Sequence, residues 1–489
     1  MAASDGNKSS EQGYRSILRG TSAFGGVQIF NILVGLLRGK LVAVFLGPAG
    51  MGIVSLYNTA VKSLQQVASL GLNMAVVKEV GAAKSDPERL AHVTAAARTL
   101  LYSTALLGAL VCLLAAPWLS RFSFGSGAYA WGFALLSLMV FFQIASAGEM
   151  SFLQGLRETR RLMRASVVGS LTGLCVSVPL YWIFGTDGIV PAMVILTGAV
   201  FVCNYINVRR SLPAGTVRFI WTQHKPIVRT LVATGLVLMA SDAIGSACRY
   251  GLNAFVRYCG SIGDVGLFQA ADALTMQYSG VVFAALAMDY LPRLASVAAS
   301  DRRLRVVVNR QAQVTAWLAA PLGTALVLFA PLIVDLLLTG QFRPAMPLLR
   351  WMGFSLTLKA LMFPLGYIAF AKDNRRVFFW LEGIFGNALF ILLGMLGYAS
   401  FGLIGLGYAQ AADCLLSIGV YYFVNRRLYG FRFGRRTLGG YLFASLSVGT
   451  VFLLSFLPSI LWSYVCMGCL AVAVTVVSLR QILGLWRRQ

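Results

Sequence analysis

The sequence predicts an all-α, polytopic membrane protein of about 14 transmembrane helices, arranged as two six-helix lobes and a C-terminal helix pair. Three observations predict it. First, the 489-residue chain is 58% hydrophobic and only 12% charged, in long apolar runs. Second, 41 Lys+Arg against 17 Asp+Glu give a net charge of +24. Most of the basic residues cluster at every second gap between the runs, the positive-inside pattern. Third, segments roughly 215 residues apart resemble one another, which points to an internal repeat.

The apolar runs occupy 16–45, 49–77, 91–118, 128–156, 163–184, 188–208, 228–256, 264–291, 306–338, 346–371, 377–398, 402–424, 438–457 and 459–479. The first follows a polar stretch, MAASDGNKSSEQG. It is too long for a signal-peptide core and has no evident cleavage site, so the N-terminus is expected in the cytoplasm. The turn Gly47-Pro48-Ala49-Gly50 separates the first two runs and is uncharged. Lys78, Lys84, Arg89 and Arg98 follow the second run, and Arg157, Arg160, Arg161 and Arg164 follow the fourth. Later even gaps repeat the pattern, with Arg209 and Arg210, Arg302 and Arg303, Lys372 and Arg375, and Arg426 and Arg427. The odd gaps are short and nearly neutral. Both termini therefore read as cytoplasmic, which requires an even number of spans. The charge-free run 438–479 is long enough for two, so fourteen fits better than twelve.

The repeat rests on two pairs. Arg157-Glu158-Thr159-Arg160-Arg161 matches Lys372-Asp373-Asn374-Arg375-Arg376, and Gly47, Gly50 and Gly52 match Gly260, Gly263 and Gly266. A six-helix unit starts both halves on the same membrane side, giving parallel repeats about an axis along the membrane normal. The expected divisions are 1–210, 211–430 and 431–489, the last holding the extra helix pair and a basic tail.

Several function classes drop out. The sequence pI of about 10.1 invites a nucleic-acid reading, but the charge is too sparse and too punctuated for one. The eight Cys lie mostly in apolar runs and none sits with a His. Cys466-x-x-Cys469 falls in a charge-free helix, where packing is the better reading than metal or redox chemistry. His92 and His224 lie in basic loops. No catalytic constellation, metal site or cofactor site is expected. Gly35-Leu-Leu-Arg-Gly39-Lys40 lacks the P-loop spacing and its Ser/Thr. Gly169-Ser-Leu-Thr-Gly173 reads as a helix-packing motif.

Charges inside the spans carry the functional signal. Each costs about 2.5–3.5 kcal/mol at the bilayer centre on insertion scales, so it tends to face a partner or a cavity. Arg38 and Lys40 lie on the first run, Lys62 on the second, and Arg249 on the seventh. Asp242 precedes Arg249 by two helical turns, on the same face and about 10 Å away. Arg350 and Lys359 share the tenth run but face opposite ways. Asp272 and Asp413 are further embedded acids, whereas Glu382, close to the cluster at 372–376, reads as structural. Taken singly, each charge could simply pair or snorkel. Grouped by the repeat near one interface, Arg38, Lys40, Lys62 and Arg249 would suit a phosphate-bearing substrate, because guanidinium and ammonium groups replace water around phosphate oxygens.

The segment from Leu36 to Gly81 resembles the first two helices of Wzx-type polysaccharide flippases. These are the O-antigen and enterobacterial common antigen translocases of the multidrug/oligosaccharidyl-lipid/polysaccharide exporter superfamily. The resemblance lies in Leu46-Gly47-Pro48-Ala49-Gly50-Met51-Gly52 and in Ser69-Leu70-Gly71-Leu72-Asn73 with Val76-Val77-Lys78. It implies a non-enzymatic transporter in the bacterial inner membrane. Its cargo would be an undecaprenyl-pyrophosphate-linked glycan, moved between leaflets by alternating access. A polysaccharide polymerase complex and membrane lipids would be its partners, nucleic acid would not. The pyrophosphate would fall to Arg38, Lys40, Lys62 and Arg249, and ion coupling to Asp242, Asp272 or Asp413. Many such flippases have twelve helices. The extra pair here is more like the related lipid II flippase, where it forms a groove for the lipid tail. The runner-up is a cation-coupled small-molecule exporter of the same superfamily. A membrane glycosyltransferase would need a long acidic loop that no gap here provides.

Overall fold

A computed structural model describes residues 2–84, 86–156, 158–211, 220–457 and 460–486. Among them there are helices, turns and short connections but no strand. The all-α membrane architecture expected from the apolar runs is therefore observed. With no water in the hydrocarbon layer, helices satisfy every backbone polar group within the segment.

Nine helical segments among the described residues are long and apolar enough to cross a membrane, or ten if a pair bent by 67° counts as one span. That is fewer than the fourteen expected, and two of the nine explain part of the difference. Phe30–Ala68 holds 39 residues and Arg160–Arg209 holds 50, where about 20 suffice for one crossing. Gly47, at φ 62, breaks the first. The 3-10 turn Gly185–Gly188 interrupts the second.

The chain forms two compact units, Met1–Leu46 with Tyr57–Ala243, and Gly47–Leu56 with Ile244–Gln489. The helices of the first are α1 (Ala2–Ala68, less 47–56), α2 (Leu72–Ala83), α3 (Pro87–Phe124), α4 (Ala130–Gly155), α5 (Thr159–Phe184), α6 (Ile189–Arg209) and the start of α7 (Trp221–Cys259). Leu70 and Gly71, both with positive φ, turn the chain between α1 and α2. A side chain at Gly71 would strike the Gly235 carbonyl. Asp86 caps α3 by accepting from the Glu88 and Arg89 amides, each at 3.1 Å, with Pro87 in the first turn. This is the favoured start chemistry of a helix. Leu72, Val76, Leu101, Phe152 and Leu231 fill the core at one end. Gly173 of the predicted packing motif meets Leu196 of α6.

The second unit holds segment 47–56, the rest of α7, α8 (Ile262–Ser296), α9 (Asp301–Leu328), α10 (Ala330–Leu337), α11 (Met346–Ala371), α12 (Arg375–Phe378), α13 (Gly386–Phe401), α14 (Leu403–Tyr429), α15 (Arg435–Leu454) and α16 (Ile460–Trp486). Apolar tails give no hydrophobic drive between helices, so close backbone packing does the work. The repeat-related glycines supply it to each other. A Cβ on Gly52 would strike the Ile262 carbonyl, and one on Gly266 the Pro48 carbonyl. Large apolar side chains such as Leu114, Trp131, Trp182 and Leu446 stand exposed, as lipid-facing residues do. Cys466 and Cys469 are exposed on α16.

Candidate functional site

In the first unit, α1 lies on α5 through polar contacts. Asn31 Nδ2 donates to Ser166 Oγ at 2.8 Å, and Ser170 Oγ donates to Asn31 Oδ1 at 2.6 Å. Two turns further along, half-buried Arg38 reaches Tyr181 of α5. Its guanidinium lies 3.4 Å from where a Cβ on Gly173 would stand. Lys40 is half-buried. Lys62 is exposed and makes no ion pair or hydrogen bond among the described residues. Asp242 Oδ2 accepts a hydrogen bond from Gln66 Nε2 at 3.3 Å.

The first unit also contains a closed network. Arg98 Nη2 meets Glu149 Oε2 at 3.1 Å, and Tyr102 Oη donates to Glu149 Oε1 at 2.7 Å. The guanidinium lies over the Phe152 and Tyr205 rings, each at 5.7 Å. Glu149 is 1% exposed, so this pairing is what makes its burial tolerable.

In the second unit, Arg249 Nη1 meets Asp272 Oδ2 at 3.0 Å and lies 5.5 Å from the Phe390 ring centroid. Arg249 and Asp242 thus each have a partner on another helix. Nearby on the same helices, Asn253 Nδ2 donates to Ser55 Oγ at 3.2 Å, and Ser55 Oγ donates to Gln269 Oε1 at 2.9 Å.

A second cluster forms around Lys359 of α11. Glu382 and Asp413 both lie within its electrostatic reach, yet Lys359 makes no direct ion pair among the described residues. Asp413 Oδ1 is buried without a hydrogen-bond partner among them. Lys359 and Glu382 line a cavity of about 370 Å³ whose other walls include Met276, Ser279, Phe283, Phe363, Tyr367 and Phe378. Glu382 lies within a seven-residue π-helix, Phe379–Phe385. Such stretches are rare and recur at functional sites. The carbonyls it frees are taken up locally: Asn387 Nδ2 donates to the Glu382 carbonyl at 3.1 Å and to that of Gly383 at 2.9 Å. Gly366 leaves room for the carboxylate, since a Cβ there would press on Glu382 Oε1.

The candidate residues therefore divide. Arg38, Lys40, Lys62 and Asp242 belong to the first unit; Arg249, Asp272 and Asp413 belong to the second. Arg350 turns away from Lys359, as the spacing requires, and its Nη1 donates to the Ser455 carbonyl at 3.0 Å. The cavity position of Glu382 escaped the sequence reading. Helical periodicity assumes 3.6 residues per turn and gives no sign of a π-helix.

Comparison with known proteins adds an independent line. A family profile described as "Polysaccharide biosynthesis protein" matches residues 41–347. A lipid III flippase of Escherichia coli K12 is 25% identical over 398 residues, covering 76% of this chain and 91% of the relative. The lipid III flippase of Shigella flexneri matches to the same extent. Among solved structures, an inward-facing MATE-family multidrug transporter of the MOP superfamily superposes with a TM-score of 0.70 at 16% identity, covering 82% of this chain and 94% of that one. Lipid II flippase MurJ, in an inward closed conformation, also gives 0.70, at 13% identity over 93% and 97%. These likenesses establish a shared fold.

Proposed function

The chain belongs to the polysaccharide biosynthesis protein family, and on that premise we propose that it flips a lipid-linked oligosaccharide across the bacterial inner membrane. It is a transporter of the MOP superfamily, not an enzyme. The observation that carries the reading is the likeness to lipid III flippases along 91% of their length. The cargo is an undecaprenyl-pyrophosphate-linked glycan, moved from the cytoplasmic to the periplasmic leaflet by alternating access. It serves surface polysaccharide such as O-antigen and is handed to a polymerase complex. Both termini face the cytoplasm, as the basic gaps favour.

The embedded cations support a pyrophosphate cargo. Lys62 is uncommitted, and Arg249, though paired with Asp272, keeps 44% of its side chain exposed, so phosphate can reach it. Arg38 and Lys40 complete the anion-binding set. Coupling to an ion falls to the embedded carboxylates. Asp242 and Asp272 remain in that role, while Asp413 gains support from its proximity to Glu382 and Lys359. The MATE likeness equals the MurJ one in TM-score, so a cation-coupled small-molecule exporter is the second reading.

Deletion of the gene separates the two. Lipid-linked oligosaccharide should accumulate on the cytoplasmic face, and surface polysaccharide should fall. Normal surface polysaccharide with raised sensitivity to small cationic compounds would favour the exporter.

A further inference from the structure

Two arginine-rich segments of the second unit, far apart in sequence, are fastened together at one end of the helices. Four arginines fall between 302 and 310, at the start of α9, and five between 426 and 436, where α14 passes into α15. All nine are exposed. Arg305 Nη2 donates to the Gly430 carbonyl at 2.6 Å, and Asn309 Nδ2 to the Arg432 carbonyl at 3.1 Å. Asn309 Oδ1 in turn accepts from the Gly434 amide at 2.7 Å and the Thr437 hydroxyl at 2.8 Å. Phe431 is 1% exposed and packs against Phe433 at 5.1 Å, which stacks on Tyr422 at 5.3 Å. The linker is an anchored surface with fixed side-chain origins.

What sets this surface apart is the number of arginines that two separate segments bring together. Several basic side chains elsewhere find carboxylates: Arg89 has Glu79, Arg98 has Glu149, Lys372 has Asp301 and Arg375 has Asp373. None of the nine arginines has an ion pair among the described residues. A topology signal needs only positive charge, and Lys would serve equally. Arginine alone offers a planar fork that grips phosphate oxygens in pairs. Within a turn or two of these arginines, Val306, Leu428, Leu438 and Leu442 are exposed and apolar. Phosphate-gripping groups bordered by lipid-facing apolar side chains match an amphiphile rather than a soluble anion.

We propose that this surface binds the phosphate headgroup of an anionic phospholipid, with a two-phosphate lipid such as a diphosphatidylglycerol favoured over one-phosphate lipids. The lipid would tie the α9 end to the α14–α15 linker and so to the root of the extra helix pair. The proposal stands apart from the flippase reading, since it concerns a lipid that stays bound and not the cargo.

The test uses the full chain, purified in detergent and delipidated. Diphosphatidylglycerol, phosphatidylglycerol, phosphatidylethanolamine and inorganic pyrophosphate are added separately, and retained lipid is read by native mass spectrometry. The expected result is retention of diphosphatidylglycerol at least tenfold above phosphatidylethanolamine, with release in high salt and no effect of pyrophosphate. The combined variant R302Q/R303Q/R435Q/R436Q should lose that preference, while R209Q/R210Q, in another basic gap, should keep it. Equal binding of charged and neutral lipids by the wild type would overturn the proposal even if the quadruple variant fails to fold. So would equal losses in both variants, or displacement of the lipid by pyrophosphate, which would mean the surface reads phosphate alone.

Discussion

In the first unit, Glu149 is 1% exposed and held by Arg98 at 3.1 Å and Tyr102 at 2.7 Å. In the second, Asp413 keeps a buried oxygen with no hydrogen-bond partner among the described residues, and Lys359 faces a cavity with no direct ion pair. Both sets combine carboxylate, base and tyrosine on adjacent helices. They differ in closure. A network with its charges paired resists change, because breaking it strands a charge in low dielectric. A network left partly open, beside a cavity, can accept a proton, an ion or a ligand with little rearrangement. On the proposed reading, the first cluster serves architecture and the second serves transport.

Substitutions can break the contrast. The largest effect is expected from Glu149→Ala, which strands Arg98. It should destabilise the fold by about 3–5 kcal/mol, read as a lowered thermal midpoint of the purified protein and reduced membrane yield. If Glu149→Ala retained wild-type stability, the architectural assignment would be lost. Next is Gly266→Val, which drives a side chain into the Pro48 carbonyl. Overpacking of this kind costs about 1–3 kcal/mol, measurable in the same melt. Glu382→Gln should leave the melt within about 1 kcal/mol, because volume is conserved and Tyr421 can still bond. Surface polysaccharide should nonetheless drop at least tenfold in cells with confirmed expression. A stable, fully active Glu382→Gln variant would remove the second cluster from transport. The smallest stability change is expected for Lys62→Ala, below about 1 kcal/mol, since an exposed charge contributes little. Its loss of surface polysaccharide tests the cationic set independently of the fold.

The sequence was informative wherever a physical rule acts locally. Apolar length announced helices, and Gly47 announced the first break, because positive φ favours glycine; the break at Gly71 lies inside the run read as 49–77. The glycine pair announced only a repeat, whereas Gly52 and Gly266 also pack on each other's segments. Pairing between helices was hidden. Nothing along the chain indicates that Arg249 would choose Asp272, 23 residues on, over Asp242 at two turns. The surroundings of Glu382 were hidden for a related reason. Its neighbours in sequence are the arginines at 375 and 376, but its neighbours in space are Lys359 and Tyr421, brought there by a stretch that leaves the ordinary helical repeat.

That stretch, Phe379–Phe385, also sets the direction in which the rest of α13 presents its side chains. A bond closed over five residues rather than four winds in about one extra residue, or roughly 100° of rotation. Deleting a single apolar residue such as Ile384 would restore ordinary winding and swing Glu382 relative to Asn387 and everything beyond. The carboxylate's heading could thus be altered with the chemistry of Lys359, Asp413 and Tyr421 untouched, separating where a charge points from what the charge is.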